Sequence, residues 1–199
     1  MRNTIAAAAT LLLTLTGCQK KEASPASAPA NPHPVVVLET TKGKIVMELD
    51  RTKAPQTVEN IVTHVERHFY DGLIFHRVVK GFVDQTGMLT ADGHQRLSSA
   101  PPVPNEADNG LKNVRGSVAL ARTQDPQSGG VQFFVNVVDN PALDFKAKTV
   151  EGWGYCVFGK VTAGLDVVDA INALQTRPDE TPIQPVVITR AFVDTSAAK

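Results

Sequence analysis

The sequence predicts a mainly β domain, a closed antiparallel barrel capped by two α-helices. Short runs rich in β-branched and aromatic residues, among them VVVLET, IFHRVV, VQFFVNVV and YCVFGKV, recur along the chain with turn residues between them. Only two stretches, far apart, carry apolar residues at helical spacing. Many strands with two distant helices argue for a barrel whose mouths the helices cover.

Arg2 is followed by the apolar run IAAAATLLLTLT, too short for the roughly 20 residues of a membrane-spanning helix. Residues 1–17 therefore read as a secretory signal. Leu15-Thr16-Gly17-Cys18 reads as a lipobox, in which cleavage leaves Cys18 at the N-terminus carrying lipid. The lipid makes a membrane a partner, held stably by two or more acyl chains and only reversibly by one. Residues 18–34 join that cysteine to a linker rich in Ala, Pro and Ser, whose prolines favour extended segments. Residues 35–195 remain as one domain, long enough to bury a single core.

Within it, VVVLET and GKIVMELD read as a hairpin turning at Thr41-Lys42-Gly43. Pro55 suits the first turn of a helix. Val58, Ile61, Val62, Val65 and Phe69 then form one apolar stripe, which Asp71-Gly72 ends. His64 and His68 share this helix at a spacing that can hold a metal, but no third ligand is near and both read as exposed. IFHRVV, residues 74–79, reads as a strand with Phe75, Arg77 and Val79 on one face and Ile74, His76 and Val78 on the other. An arginine among such neighbours asks for a reason, whereas His76 reads as a satisfied interior histidine. Residues 88–106 form a long surface loop and residues 116–121 a strand. VQFFVNVV separates Val131, Phe133 and Val135 from Gln132, Phe134 and Asn136, giving one apolar face and one mixed face. Residues 152–161 read as a strand, Leu165, Val168, Ile171 and Leu174 as a second helix, and residues 185–193 as a closing strand.

Twenty basic and 20 acidic residues leave the chain neutral, which suggests neither a nucleic-acid partner nor an acidic substrate. After Cys18 only Cys156 remains, so no intramolecular disulfide is available, and its apolar setting marks it as a small buried hydrophobe. No metal and no cofactor is called for, and nothing resembles a coiled-coil seam, so a monomer is expected.

Four ordered segments, FHRVVKGFVDQ, NEADNGLKNVRGSVALART, QFFVNVVDN and GWGYCVFGKV, resemble the cyclophilin family of peptidyl-prolyl cis/trans isomerases, in its short bacterial branch. The resemblance runs from about Val35 to about Val193. It implies a cyclophilin-like barrel of eight strands with a helix at each mouth, acting on proline-containing polypeptides. Arg77, Phe82 and Gln85 fall on the family's catalytic positions, and Val83, Phe134 and Leu143 join Phe82 in holding the proline ring. Gln85 and Gln132 fall on glutamines that bond the substrate backbone and brace the arginine. Ala121 and Arg122 fall on the edge along which the peptide lies, and Tyr155 where many members carry histidine.

The chemistry this implies needs no nucleophile, proton relay, metal or nucleotide. An X-Pro bond rotates over a barrier of roughly 18 to 20 kcal/mol because the planar amide draws on the nitrogen lone pair. At the twisted transition state that resonance is lost and the nitrogen accepts hydrogen bonds better. A fixed donor such as Arg77 would bind that state more tightly than either ground state.

Three departures from the family pattern stand out: Val83 replaces methionine, Thr86 replaces a glycine whose loss suggests a changed turn, and Ala142 replaces the tryptophan that binds cyclosporin. Weak or no cyclosporin binding is therefore expected. The competing readings are a peptide-binding chaperone with little turnover, disfavoured by retention of Arg77, and a cysteine hydrolase using Cys156, disfavoured by its mid-strand place with no basic partner. The leader places the protein in the periplasm, and Gln19 after the lipidated cysteine favours the outer over the inner membrane.

Overall fold

The computed structural model describes residues 31–196; the expected signal peptide, Cys18 and most of the expected linker lie outside the described residues. Eight strands and two helices follow in the order β1 (Val35–Thr40), β2 (Gly43–Leu49), α1 (Pro55–Glu66), β3 (Arg77–Val79), β4 (Val83–Thr86), β5 (Ser117–Leu120), β6 (Phe133–Asn136), β7 (Val157–Ala163), α2 (Leu165–Asn172) and β8 (Ile188–Asp194). One antiparallel sheet holds all eight strands, in the order β3-β4-β6-β5-β7-β2-β1-β8. The chain meets this body before Val35. Leu49 donates its N–H to Pro34 O at 2.9 Å and Arg51 its N–H to Pro32 O at 2.9 Å.

The expected closed barrel is not what forms: the sheet is an open half-barrel whose end strands, β3 and β8, share no ladder. Only the segment ahead of β3 reaches across. Gly72 N–H donates to Ile188 O at 2.7 Å, Ile188 N–H to Leu73 O at 2.8 Å and Phe75 N–H to Val186 O at 3.1 Å. The reason lies in residues 74–79, expected to be one regular strand. Strand geometry begins only at Arg77, and Phe75 turns inward to the core instead of sharing a face with Arg77.

From Arg77 onward the alternation holds and divides the sheet into two surfaces. Val78, Asp84, Val135 and Val118 lie opposite one another on successive strands and face the interior, all fully buried or nearly so. Arg77, Gln85, Phe134 and Ala119 form the neighbouring row, on the other face. Inside, Tyr70, Phe133 and Phe158 meet edge to face with centroids 5.5 and 6.2 Å apart, each ring contributing about 2–3 kcal/mol by burial.

The helices cover this interior. Val58, Ile61, Val62 and Val65 of α1 and Val168 and Ile171 of α2 join the core cluster. Helix α1 stops at Glu66, short of the expected Asp71-Gly72, because His68 takes a left-handed conformation (φ 55°) just beyond it. Its N-terminus has no cap from Ala54. Instead the Glu106 carboxylate, 50 residues away, accepts the Gln56 and Thr57 N–H groups and the Thr57 hydroxyl. An acid at a helix N-terminus thereby pins the end of the long 88–106 loop.

Candidate active site

A second apolar cluster, separate from the core, lies on the outer face of the sheet. Val83, Ala119, Phe134 and Val157 form its buried floor, and Phe82, Leu111, Ala121, Leu143 and Tyr155 pack around them. Phe82, Val83, Ala121, Phe134, Leu143 and Tyr155 are thus brought together as the sequence leads one to expect. Phe134 and Tyr155 meet edge to face at 5.5 Å, and the Arg122 guanidinium lies 4.7 Å from the centre of the Tyr155 ring. Arg122 is steadied by donating from Nε to Gly154 O at 2.8 Å.

Register sets the polar residues beside this cluster. Gln85 faces Arg77 on one side and Phe134 on the other, so a guanidinium, an amide and an aromatic ring form a row across three strands. Gln85 donates from Nε2 to Gln132 Oε1 at 3.0 Å, and Gln132 lies just ahead of β6. Neither glutamine braces the arginine, contrary to expectation. Arg77 donates from Nε to Glu180 Oε2 at 2.6 Å, a residue that sequence reasoning missed. A cleft of about 320 Å³ opens beyond Gln85 and Gln132, bordered by Ala121, Arg122, Ser98 and Ala100. Ser98 and Ala100 thus bring the 88–106 loop to the edge of this cleft.

Backbone chemistry fixes the pocket walls. Leu143 closes a 3-10 turn, Pro141–Leu143, and its carbonyl accepts the Tyr155 N–H at 2.9 Å. A chain of buried amides supports that turn: Asn136 Nδ2 donates to Asn113 Oδ1, Asn140 Nδ2 to Asn136 Oδ1 and to Phe82 O, and Asn113 Nδ2 to Leu143 O. Three asparagines thus tie Phe82 to Leu143, a function that nothing in their local sequence announces.

Thr86 needs no altered turn. It takes a regular place in β4, fully buried, and its hydroxyl donates to Ile74 O at 2.9 Å. The glycine that matters is Gly87, at φ 101°, where an added Cβ would lie 2.6 Å from Val131 O and 2.8 Å from the Gln132 Cα. The bare backbone there is what lets Gln132 reach Gln85.

Two groups of unusual protonation flank the site. His76 is interior, as expected, but its Nδ1 has no hydrogen-bond partner. Burial foremost, with the Arg77 charge adding to it, lowers its pKa to about 4, and the ring is neutral at pH 7. Asp84, between Val83 and Gln85, points into the core. Its Oδ1 accepts from Asn172 Nδ2 at 2.7 Å while Oδ2 has no partner. Burial, reinforced by Asp169 and opposed by the Asn172 hydrogen bond, pushes its pKa up to about 7.

Other candidates prove structural. Burial pushes the Cys156 thiol up to about 12, leaving no thiolate for nucleophilic chemistry. His64 is buried, not exposed: Nδ1 donates to Asn60 O at 2.7 Å and Nε2 accepts from the Ser98 hydroxyl at 2.8 Å, tying α1 to the 88–106 loop. His68 is exposed and pairs with Asp71 at 3.2 Å. Among the described residues no group of three or more His, Cys, Asp or Glu could hold a metal. No helix among them is long and apolar enough to cross a membrane. A cavity of about 500 Å³ lies between the end of α1 and residues 96–100, and neither Arg77 nor the outer cluster lines it.

Comparison with known proteins converges on one family. The profile described as "Cyclophilin type peptidyl-prolyl cis-trans isomerase/CLD" matches residues 35–193. The chain is 51% identical to a peptidyl-prolyl cis-trans isomerase of Streptomyces antibioticus over 162 residues, 79% of this chain and 97% of the relative. It is 46% identical to peptidyl-prolyl cis-trans isomerase B of Escherichia coli, covering 71% of this chain and 86% of that one. With isomerase A of Dickeya dadantii it shares 43% identity over 97% of its own length and 98% of the relative's. Among solved structures, a cyclophilin-type isomerase of Cryptosporidium parvum superposes with a TM-score of 0.69 at 22% identity, covering 82% of this chain and 99% of that one.

Proposed function

This chain belongs to the cyclophilin-type peptidyl-prolyl cis-trans isomerase family, and from that premise we propose that it turns X-Pro bonds of envelope proteins with Arg77 as the donor to the twisted prolyl nitrogen. The observation that carries this reading is the row Arg77, Gln85, Phe134 beside an apolar cluster that the core does not need. Phe82, Val83, Phe134 and Leu143 receive the proline ring. The amides of Gln85 and Gln132 meet the peptide backbone in the adjoining cleft, with Ala121 and Arg122 along its side. A neutral, buried His76 and a protonated Cys156 offer no competing acid, base or nucleophile. Differential hydrogen bonding to one geometry of the amide is then sufficient for catalysis.

The test is the cis-to-trans rate of an Ala-Pro peptide with the soluble chain from Gln19 onward. Uncatalysed exchange takes tens to hundreds of seconds, so acceleration is readily resolved. Binding of proline peptides without acceleration would overturn the reading in favour of a peptide-binding module.

The envelope assignment rests on the leader. Cleavage before Cys18 and its acylation would hold the domain in the periplasm on a proline-rich tether, at the outer membrane by the logic of Gln19. Palmitate labelling of the wild type, lost in Cys18→Ser, is the expected result; labelling that survives the substitution would sink the anchor. Ala142, exposed beside Leu143, presents no ring to a cyclic peptide. Cyclosporin should accordingly bind weakly or not at all, and a nanomolar complex by calorimetry would refute this.

A further inference from the structure

Glu180 occupies a place that favours glycine. It lies in a short hairpin between α2 and β8: Thr176 bridges Pro182, the Arg177 N–H donates to Thr181 O at 2.8 Å, and the Glu180 N–H donates to Arg177 O at 3.0 Å. The three-residue loop Pro178-Asp179-Glu180 ends in a left-handed residue, the position where such hairpins ordinarily carry glycine. Glu180 stands there at φ 66°, and besides His68 it is the only non-glycine with positive φ among the described residues. A side chain in that conformation strains the backbone.

What the strain provides is a double grip on the strand that carries Arg77. The Glu180 carbonyl accepts the Val78 N–H at 2.8 Å, and its carboxylate accepts the Arg77 Nε–H at 2.6 Å. Engaging Nε fixes the plane of the guanidinium, and the two Nη groups make no hydrogen bond to protein among the described residues. Gln85, the cross-strand neighbour of Arg77, is committed to Gln132 and does not take on this task. Nor does stability account for the glutamate. Both partners are about 40% exposed (39% and 42%), and ion pairs so exposed add little to folding.

We propose that Glu180 is a positioning residue of the isomerase: it acts through Arg77, aiming the free Nη groups at the prolyl amide without itself touching the peptide. This rests on the role given to Arg77 above. Glu180→Gly relieves the backbone and removes the carboxylate, so activity and stability should move apart. Glu180→Gln keeps an oxygen acceptor but no charge.

The experiment measures kcat and KM for the Ala-Pro peptide, with thermal midpoints, for Glu180→Gly, Glu180→Gln, Arg77→Ala and the double variant Arg77→Ala/Glu180→Gly. Glu180→Gly should lose about 10- to 100-fold in kcat, with KM within about twofold and a midpoint equal to or above wild type. Glu180→Gln should keep more activity than the glycine variant, and Glu180→Gly should cost nothing further once Arg77 is gone. Wild-type kcat in both Glu180 variants while Arg77→Ala is crippled would overturn this proposal and leave the role of Arg77 standing. An additive loss in the double variant, or a midpoint that falls in step with activity, would likewise overturn it. Full activity of Arg77→Ala would remove the role of Arg77 and this proposal with it. Should the glycine variant not fold, the glutamine variant decides: unchanged kcat overturns the proposal and a selective fall in kcat supports it.

Discussion

Arg77→Ala is expected to lower kcat/KM for an Ala-Pro peptide by about 100- to 1,000-fold, the usual consequence of removing one preorganised donor from a transition state. The loss should fall on kcat, because the groove keeps its other parts. The floor of the pocket, Val83, Ala119, Phe134 and Val157, does not include Arg77, and the paired amides of Gln85 and Gln132 remain. Stability should shift by less than about 1 kcal/mol, since the side chain is 39% exposed and its ion pair is half in water. Exchange NMR on the peptide reads turnover and line broadening reads binding in the same sample. A loss smaller than about fivefold would mean that the twisted amide takes its hydrogen bond from elsewhere.

Asp84→Asn should make the domain more stable at pH 8 than the wild type by about 1–3 kcal/mol, with no gain at pH 4. Burial holds the proton on Asp84 up to about pH 7, whereas an unfolded aspartate releases it near its ordinary value of 3.8. Between those values the folded chain binds the extra proton, so this group's contribution to stability is greatest below about pH 4. It is lost as pH rises towards 7, by a total on the order of 4 kcal/mol. His76 works in the opposite sense. Its folded-state pKa is lowered from 6.5 to about 4, so stability gained from the neutral ring is present above 6.5 and lost as pH falls. The two nearly cancel in the wild type, whose stability should change little from pH 4 to 7 as far as these groups decide it.

Asparagine removes one side of that balance. Its carbonyl can still accept from Asn172, and its amide nitrogen meets the unpartnered surroundings that Oδ2 meets now, which limits the gain. Asp169, which adds to the burden on Asp84, is itself held by a two-point pair with Arg115, so it stays charged through the window. Urea unfolding at pH 4, 6 and 8 checks this. The difference between variant and wild type should grow with pH, and parallel curves would mean that Asp84 is not the group responsible.

The outer face of β4 and β6 was legible because period-2 alternation survives wherever strand geometry does. Val83, Gln85, Phe134 and Asn136 share a face as their spacing predicts. The inward face of the same strands concealed a surprise, since a single aspartate between Val83 and Gln85 reads locally as a polar interruption and not as a buried acid. Residues 74–76 misled for a related reason: their composition is strand-like, but the chain bends there to feed Phe75 into the core, and that bend also leaves the half-barrel open. His64 was readable in principle, because it lies at i+3 from Ile61 along the edge of the buried stripe. Glu180 was not, since it meets Arg77 across 103 residues and the local signal, a turn ending in a non-glycine, shows only once φ is known.

The separation of the two apolar clusters by the thickness of one sheet has an evolutionary side. The residues proposed to receive a client and the residues that hold the fold together occupy opposite surfaces of the same strands. Substitutions on the two surfaces should combine nearly independently, as sites without shared partners do. Val83, and Ala142 on the exposed turn beside it, can therefore drift towards new clients without reopening the question of how the chain folds.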